Sequence, residues 1–129
     1  MKGALLLFPL LAACATVSAA PAPLTGEWGG SHVGLQLTTA GGTLNYDCAH
    51  GTIGPIVAGA GGRFTAEGTH TPEHGGPVRQ GEVLPSLHAS FEGRVSGDRM
   101  TLTGQLDDGA VLGPFALRRG AQPTIFRCL

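Results

Sequence analysis

Lysine is all but absent: Lys2 is the only one, so every other basic side chain is Arg, against nine Asp and Glu. The net charge is −1 with histidine neutral, and only 13% of residues are charged. With no basic run and no aromatics set among basic residues, the chain is not built to hold nucleic acid. Aromatics are scarce at 5%, with one Trp and one Tyr. Beyond the N-terminal leader no window carries a helical period, which excludes helix bundles and coiled coils. Cysteine is limited to three, too few for a disulfide-dense scaffold. The Gly-rich piece Gly59–Phe64 (GAGGRF) has neither the lysine nor the following helix of a phosphate loop. Nothing in the sequence assembles a nucleophile, a base and an oxyanion hole, so a binding role is expected ahead of an enzyme, with no cofactor.

What is present begins with MKGALLLFPLLAAC: one positive charge at Lys2, an apolar run from Ala4 to Ala13, then a cysteine. This is the layout of a secretory signal peptide, too short to span a bilayer as a mature helix. Leu11-Ala12-Ala13-Cys14 resembles the bacterial lipoprotein signal, in which the cysteine becomes the lipidated first residue of the mature chain. The resemblance implies a signal peptide over 1–13, a lipid on Cys14 and contact with a membrane through that anchor. Ala15 rather than Asp follows the cysteine, which by analogy points to the periplasmic face of the outer membrane. The other reading is ordinary secretion of a soluble protein, with cleavage after Ala19 or Ala20. Residues 14–23 (CATVSAAPAP) have no charge and no large apolar side chain, so after Cys14 they form a flexible tether. A single folded domain is expected over 24–129.

If the lipid takes Cys14, then Cys48 and Cys128 remain, and in an oxidising compartment two such cysteines pair. Closing so long a loop contributes about 4 kcal/mol, a large share for a domain with a modest core. The stretch YDCAHG around Cys48 is then one end of a disulfide rather than a catalytic Cys/His pair. Proton transfer between Asp47 and His50 ranks lower, because residues three apart at a strand end point different ways.

From Leu24 onward the pattern has period two. Val33, Leu35 and Leu37 alternate with polar or small residues, and so do Leu44, Tyr46 and Cys48, then Phe64 and Ala66. Leu87, Ala89, Phe91 and Val95 form one apolar face, and Met100, Leu102 and Leu106 another. Turn signals at 40–42, 60–62, 96–98 and 107–109 separate these runs, with Gly or Asp at positions that take positive φ. The pattern predicts an all-β protein, an antiparallel meander of about eight strands near 26–39, 43–48, 51–57, 62–70, 87–96, 99–106, 110–119 and 123–129. Closure into a barrel would remove the edges; a two-sheet sandwich is the alternative. Arg118-Arg119 at a strand end reads as a solvated edge, with anionic lipid contact as the second reading.

One connection is too long and too rich in Pro and Gly for a hairpin turn: THTPEHGGPVRQGEVLPS, residues 69–86. Long connections of this kind are often functional, so His70, Glu73, His74 and Arg79 form a candidate binding loop. It could equally be an extended arm covering a barrel mouth. His70 and His74, joined by His50, are a low-odds metal set: Pro72 and Gly75-Gly76 argue against the helix that would align them, and solvated loop histidines are the ordinary alternative.

Gly26-Glu27-Trp28 resembles the G-x-W opening of lipocalin- and avidin-like barrels. That resemblance implies that Gly26 turns the chain in and Trp28 plugs one end, packed near an arginine of the last strand, here Arg127. If Phe126 and Cys128 face inward, Arg118 or Arg119 takes that place instead. Tyr46, Cys48 and Gly51, with the late Cys128, resemble the Y-x-C-x-x-G stretch of periplasmic lysozyme-inhibitor lipoproteins, although no good copy of that family's S-G-x-x-Y loop is present. Leu24, Gly26 and Trp28 also resemble the start of bacterial metalloprotease inhibitors. The run from GEWGG through YDCAHG to the terminal RCL resembles a group of short exported bacterial proteins, a likeness that brings no activity with it. Two functions follow as expectations: a small-ligand-binding barrel, or a protein that inhibits a hydrolase such as a lysozyme or protease. A structural envelope module is third.

Overall fold

Side chains that alternate between apolar and polar form strands that bury one face, and eight such strands form here. The computed structural model describes residues 3–6, 9–10, 21–77 and 79–128. The strands are β1 (Gly26–Gly30), β2 (Val33–Thr38), β3 (Gly41–Tyr46), β4 (Ala49–Ile53), β5 (Arg63–Pro72), β6 (Leu87–Ser96), β7 (Arg99–Leu106) and β8 (Val111–Arg119). Each pairs antiparallel with the next, and β8 returns to β1 through Trp28↔Arg119 and Gly29↔Arg118, so the sheet is a closed barrel. Closure pairs the two strands that would otherwise present free edges. Cys14 and the alternative cleavage sites after Ala19 and Ala20 lie outside the described residues.

The expected count of eight holds, but two errors cancel within it. The stretch 26–39 is a hairpin rather than one strand, because His32 takes φ +69 and turns the chain between β1 and β2. The expected last strand, 123–129, is not part of the barrel. After β8 the described chain to Cys128 runs along the outside, touching the sheet by one parallel bridge, Ser31↔Thr124. The stretch expected at 51–57 starts earlier, at Ala49, and ends at Ile53; Ile56 then packs fully buried against the core.

The inward face is the apolar set read from the alternation. Val33, Leu35 and Leu37 of β2, Leu44 and Tyr46 of β3, and Phe91, Met100, Leu102 and Leu106 of β6 and β7 are all buried. A bulge between Leu102 and Gly104 lets both Leu112 and Phe115 of β8 pack against this core although they are three apart. The small inward residues do not leave the barrel hollow. Gly93 lies opposite Phe64, and a Cβ added there would sit 2.6 Å from the Phe64 ring. Gly104 lies opposite Phe91, and a Cβ there would sit 2.8 Å from that ring. Each phenyl ring covers the glycine of the next strand, so the volume a small residue yields is taken by its neighbour.

Candidate functional site

The two ends of the barrel are built differently. At one end lie the Ser31–His32 turn, the Asp47–Cys48 turn, the connection 73–86 and the turn before β8. Cys48 has φ +55 and sits in the turn between β3 and β4, half-buried rather than facing the interior. It bonds Cys128, 80 positions away, with Cα atoms 5.0 Å apart. The disulfide fastens a strap, residues 121–128, across the outer wall. The Gly120 N–H donates to the Glu27 carbonyl (2.7 Å), the Thr124 N–H to the Gly30 carbonyl (3.1 Å), and the His32 N–H to the Thr124 carbonyl (2.7 Å). The Phe126 N–H donates to Asp47 Oδ1 (2.7 Å), and the Cys48 N–H to the Phe126 carbonyl (3.3 Å).

The strap can lie this close because its bed has no side chains. Gly29 and Gly34 are register partners on β1 and β2. A Cβ on Gly29 would meet the Ala121 carbonyl oxygen at 2.2 Å, and one on Gly34 would meet Pro123 at 3.1 Å. Phe126 and Cys128 therefore do not face inward with a barrel strand; Phe126 is 62% exposed. Between the strap and the β3–β4 hairpin lies an open cleft of about 590 Å³, lined by Asn45, Ala49, Glu73, Ile125, Phe126 and Arg127 among others.

Five histidines gather at or beside this end. Four are exposed and hold carboxylates: His32 contacts Asp47, His50 Nδ1 lies 2.8 Å from Glu73 Oε1, and His74 Nε2 lies 2.9 Å from Glu82 Oε1. His88 sits between Glu67 Oε2 (2.6 Å) and Asp107 Oδ1 (3.0 Å). The hydrogen bond with Asp107, backed by both acidic charges, raises the His88 pKa. The Gly75 carbonyl and then Glu82 raise that of His74, while the Arg79 N–H holds the Glu82 carboxyl below its usual range.

The fifth, His70, is not a loop residue. It belongs to β5 and faces inward, 8% exposed, with its ring 5.5 Å from that of Tyr46. The Phe115 ring also stacks on Tyr46, with centroids 5.5 Å apart. Among the described residues, His70 Nδ1 and the Tyr46 hydroxyl are both buried without a hydrogen-bond partner. Burial pushes the His70 pKa down and the Tyr46 pKa up, since each is held in its neutral form.

The candidate loop set is therefore dispersed. His70 points into the barrel, Glu73 is taken by His50, His74 by Glu82, and Arg79 is exposed, with its backbone N–H on Glu82 Oε2 at 3.1 Å. The low-odds metal set fails on the same geometry. His50 and His70 come from paired strands but on opposite faces of the wall, and His74 lies beyond β5. Among the described residues no three His, Cys, Asp or Glu side chains gather to hold a metal ion. Asp47 serves His32 and not His50. Asp47 was weighed only beside His50, and Glu82 was not singled out at all, because their actual partners are 15 and 8 positions away and only the folded turns bring them together.

The opposite end is plugged by Trp28, which is 1% exposed. The guanidinium over its ring is that of Arg119, 4.4 Å from the centroid, not that of Arg127. Arg119 closes β8 and is the register partner of Trp28, whereas Arg127 rides the strap to the disulfide end and lines the cleft there. Arg119 Nη1 also donates to the Thr25 carbonyl (2.8 Å), and its Nε lies 3.6 Å from Asp98.

Fold and ends together define a closed, eight-stranded antiparallel barrel, braced at one end by a disulfide strap and plugged at the other by a tryptophan. No protein-family model matches the chain, and comparison with curated proteins and with solved structures finds no match either.

Proposed function

We propose that this chain is an exported cell-envelope lipoprotein, held by a lipid on Cys14 at the periplasmic face of the outer membrane, whose barrel is a non-catalytic binding module. Its partner is a protein, and a hydrolase is the class that the inhibitor resemblances suggest. The contact surface is the braced end: the strap, the Asp47–Cys48 turn and the connection 73–86. One observation carries this reading. The barrel's own rings, Trp28, Phe64 and Phe91, fill its interior, while the braced end offers a covalently fixed backbone, an exposed Phe126 and a cleft. A surface ordered before contact loses less conformational entropy on binding, and an exposed aromatic beside a cleft suits a protein anchor.

Native mass spectrometry on protein gently extracted from its own membrane tests this. A protein partner should accompany the wild type and be lost in Phe126→Ala, with folding unchanged. A partner retained in full by that variant places the contact elsewhere. The second reading, a small polar ligand, is favoured by the unpartnered Tyr46 hydroxyl and His70 Nδ1. A buried polar group without a partner costs about 1–3 kcal/mol, which a bound hydrogen-bonding molecule would offset. A small retained mass that disappears in Tyr46→Phe would establish it.

A further inference from the structure

The geometry points to a membrane-docking face at the Trp28 end: a stripe of four arginines, Arg63, Arg94, Arg99 and Arg118, that seats on anionic phospholipid headgroups. The four lie on the outer wall of consecutive strands β5 to β8, near the ends of those strands. Arg63 is the direct register partner of Arg94, and Arg99 of Arg118. Like charges directly opposite each other destabilise a sheet. Among the described residues none of the four has a carboxylate within ion-pair distance; Asp98 in the adjacent turn goes to Arg119 instead. Glu92 lines the same groove as Arg63 and Arg94 without an ion pair to either. The protein places its carboxylates elsewhere: every exposed histidine at the other end holds at least one. Two uncompensated like-charge pairs, on a chain whose acids mostly sit with the histidines at the other end, imply an external counter-charge.

The tether selects that counter-charge. The chain enters the barrel at this same end, where the Leu24 N–H bonds the Ile56 carbonyl at 2.7 Å and Thr25 sits under Arg119. If residues 14–23 act as the tether that their composition predicts, the span from Cys14 to Leu24 is roughly 17 Å root-mean-square and at most about 35 Å. An anchored barrel therefore presents this end to the bilayer, where anionic headgroups attract arginine within about a Debye length. This step rests on the lipid-anchor reading above.

The test is arginine footprinting with phenylglyoxal on full-length protein from its own membrane, reconstituted into phosphatidylcholine nanodiscs with or without phosphatidylglycerol. With phosphatidylglycerol the four stripe arginines should react at least about tenfold more slowly, while Arg79 and Arg127 at the far end stay reactive. High salt should abolish the protection. Arg94→Gln with Arg118→Gln should expose Arg63 and Arg99 without lowering the melting temperature. Equal reactivity at both ends, protection of the far end, or protection only by an added soluble polyanion would each overturn the proposal. Intact mass of the same sample reads the anchor separately. If Cys14 carries no lipid, the anchor reading fails, and the soluble protein is instead sedimented with vesicles of the same lipids. Phosphatidylglycerol-dependent binding lost in the double variant keeps the docking face, and no binding removes it.

Discussion

The two ends of this barrel solve the same problem by different physics. Each must stop water from entering an apolar interior. The Trp28 end does so by packing: an indole buried among β1, β2 and β8, with Arg119 over its face. At the Cys48 end the buried Tyr46 and His70 close the interior, while a disulfide, a backbone strap on the outer wall and exposed histidine–carboxylate contacts brace the turns around them. Packing acts in the folded state alone, whereas a disulfide acts largely on the unfolded chain. The ends should therefore respond to different perturbations, and each variant below tests whether they are separable.

The largest effect is expected at the braced end. Cys48→Ser with Cys128→Ser opens a loop spanning 80 positions and should cost about 4.5 kcal/mol in urea denaturation. Amide exchange at Thr124 and Phe126 should rise, while β6 and β7 stay protected. Unchanged stability with a protected strap would show that the strap's backbone bonds suffice without the cross-link. At the other end, Trp28→Ala should cost about 3–5 kcal/mol by leaving a cavity and leave strap exchange unchanged relative to global opening. Accelerated strap exchange in that variant would mean that the two ends act as one unit. Gly34→Val is milder: it crowds Pro123, which already lies 3.1 Å from the added Cβ position, and should cost about 1–3 kcal/mol through the strap alone.

Titration should separate the ends too, because the histidines are concentrated at the braced end and the two kinds have opposite signs. His88 and His74 have raised pKa values. Their contribution is fully present below the unfolded value near 6.5 and is lost as pH rises through the higher folded values. His70 has a lowered value caused by burial. Its contribution is present above about 6.5 and is lost as pH falls through the lower folded value. The exposed pairs are screened and small, so acid-side loss should dominate a melting-temperature scan. His70→Phe should flatten the acid side, and His88→Gln should flatten only the alkaline side. An acid limb that survives His70→Phe would assign it to the carboxylates instead.

Most of the barrel was legible because its signal is local. The faces carrying Phe91 and Leu102 alternate within single strands, and side-chain direction follows from that period alone. The hairpin at Ser31–His32 was not legible: positive φ falls on His32, where glycine or asparagine is the usual residue. The strap was misread as a strand for a related reason. Ile125 and Phe126 look like strand residues, but the segment lies on the side-chain-free surface of Gly29 and Gly34, which Ala121, Pro123 and Ile125 cover from about ninety positions later. The histidine pairs were unreadable in partner though readable in type, since His50 and Glu73 are 23 positions apart and His88 and Asp107 are 19.

The arginine at Trp28 is the sharpest and smallest test. The superfamily resemblance placed an arginine of the last strand on the tryptophan, and residue 127 filled that place only while 123–129 counted as a strand. Of the alternatives named for that place, Arg118 and Arg119, it is Arg119 at the end of β8 that stacks on Trp28 at 4.4 Å and donates to the Thr25 carbonyl at 2.8 Å. A stacked, partly exposed guanidinium contributes about 0.5–1 kcal/mol, and the hydrogen bond a similar amount. Arg119→Ala should therefore cost about 1–2 kcal/mol and shift the Trp28 fluorescence. Arg119→Lys should recover only part of this, because an ammonium lacks the planar face. Arg127→Ala should stay within about 0.5 kcal/mol, with the indole signal unmoved. The reverse ranking would return the strap to the tryptophan and dissolve the distinction between the two ends.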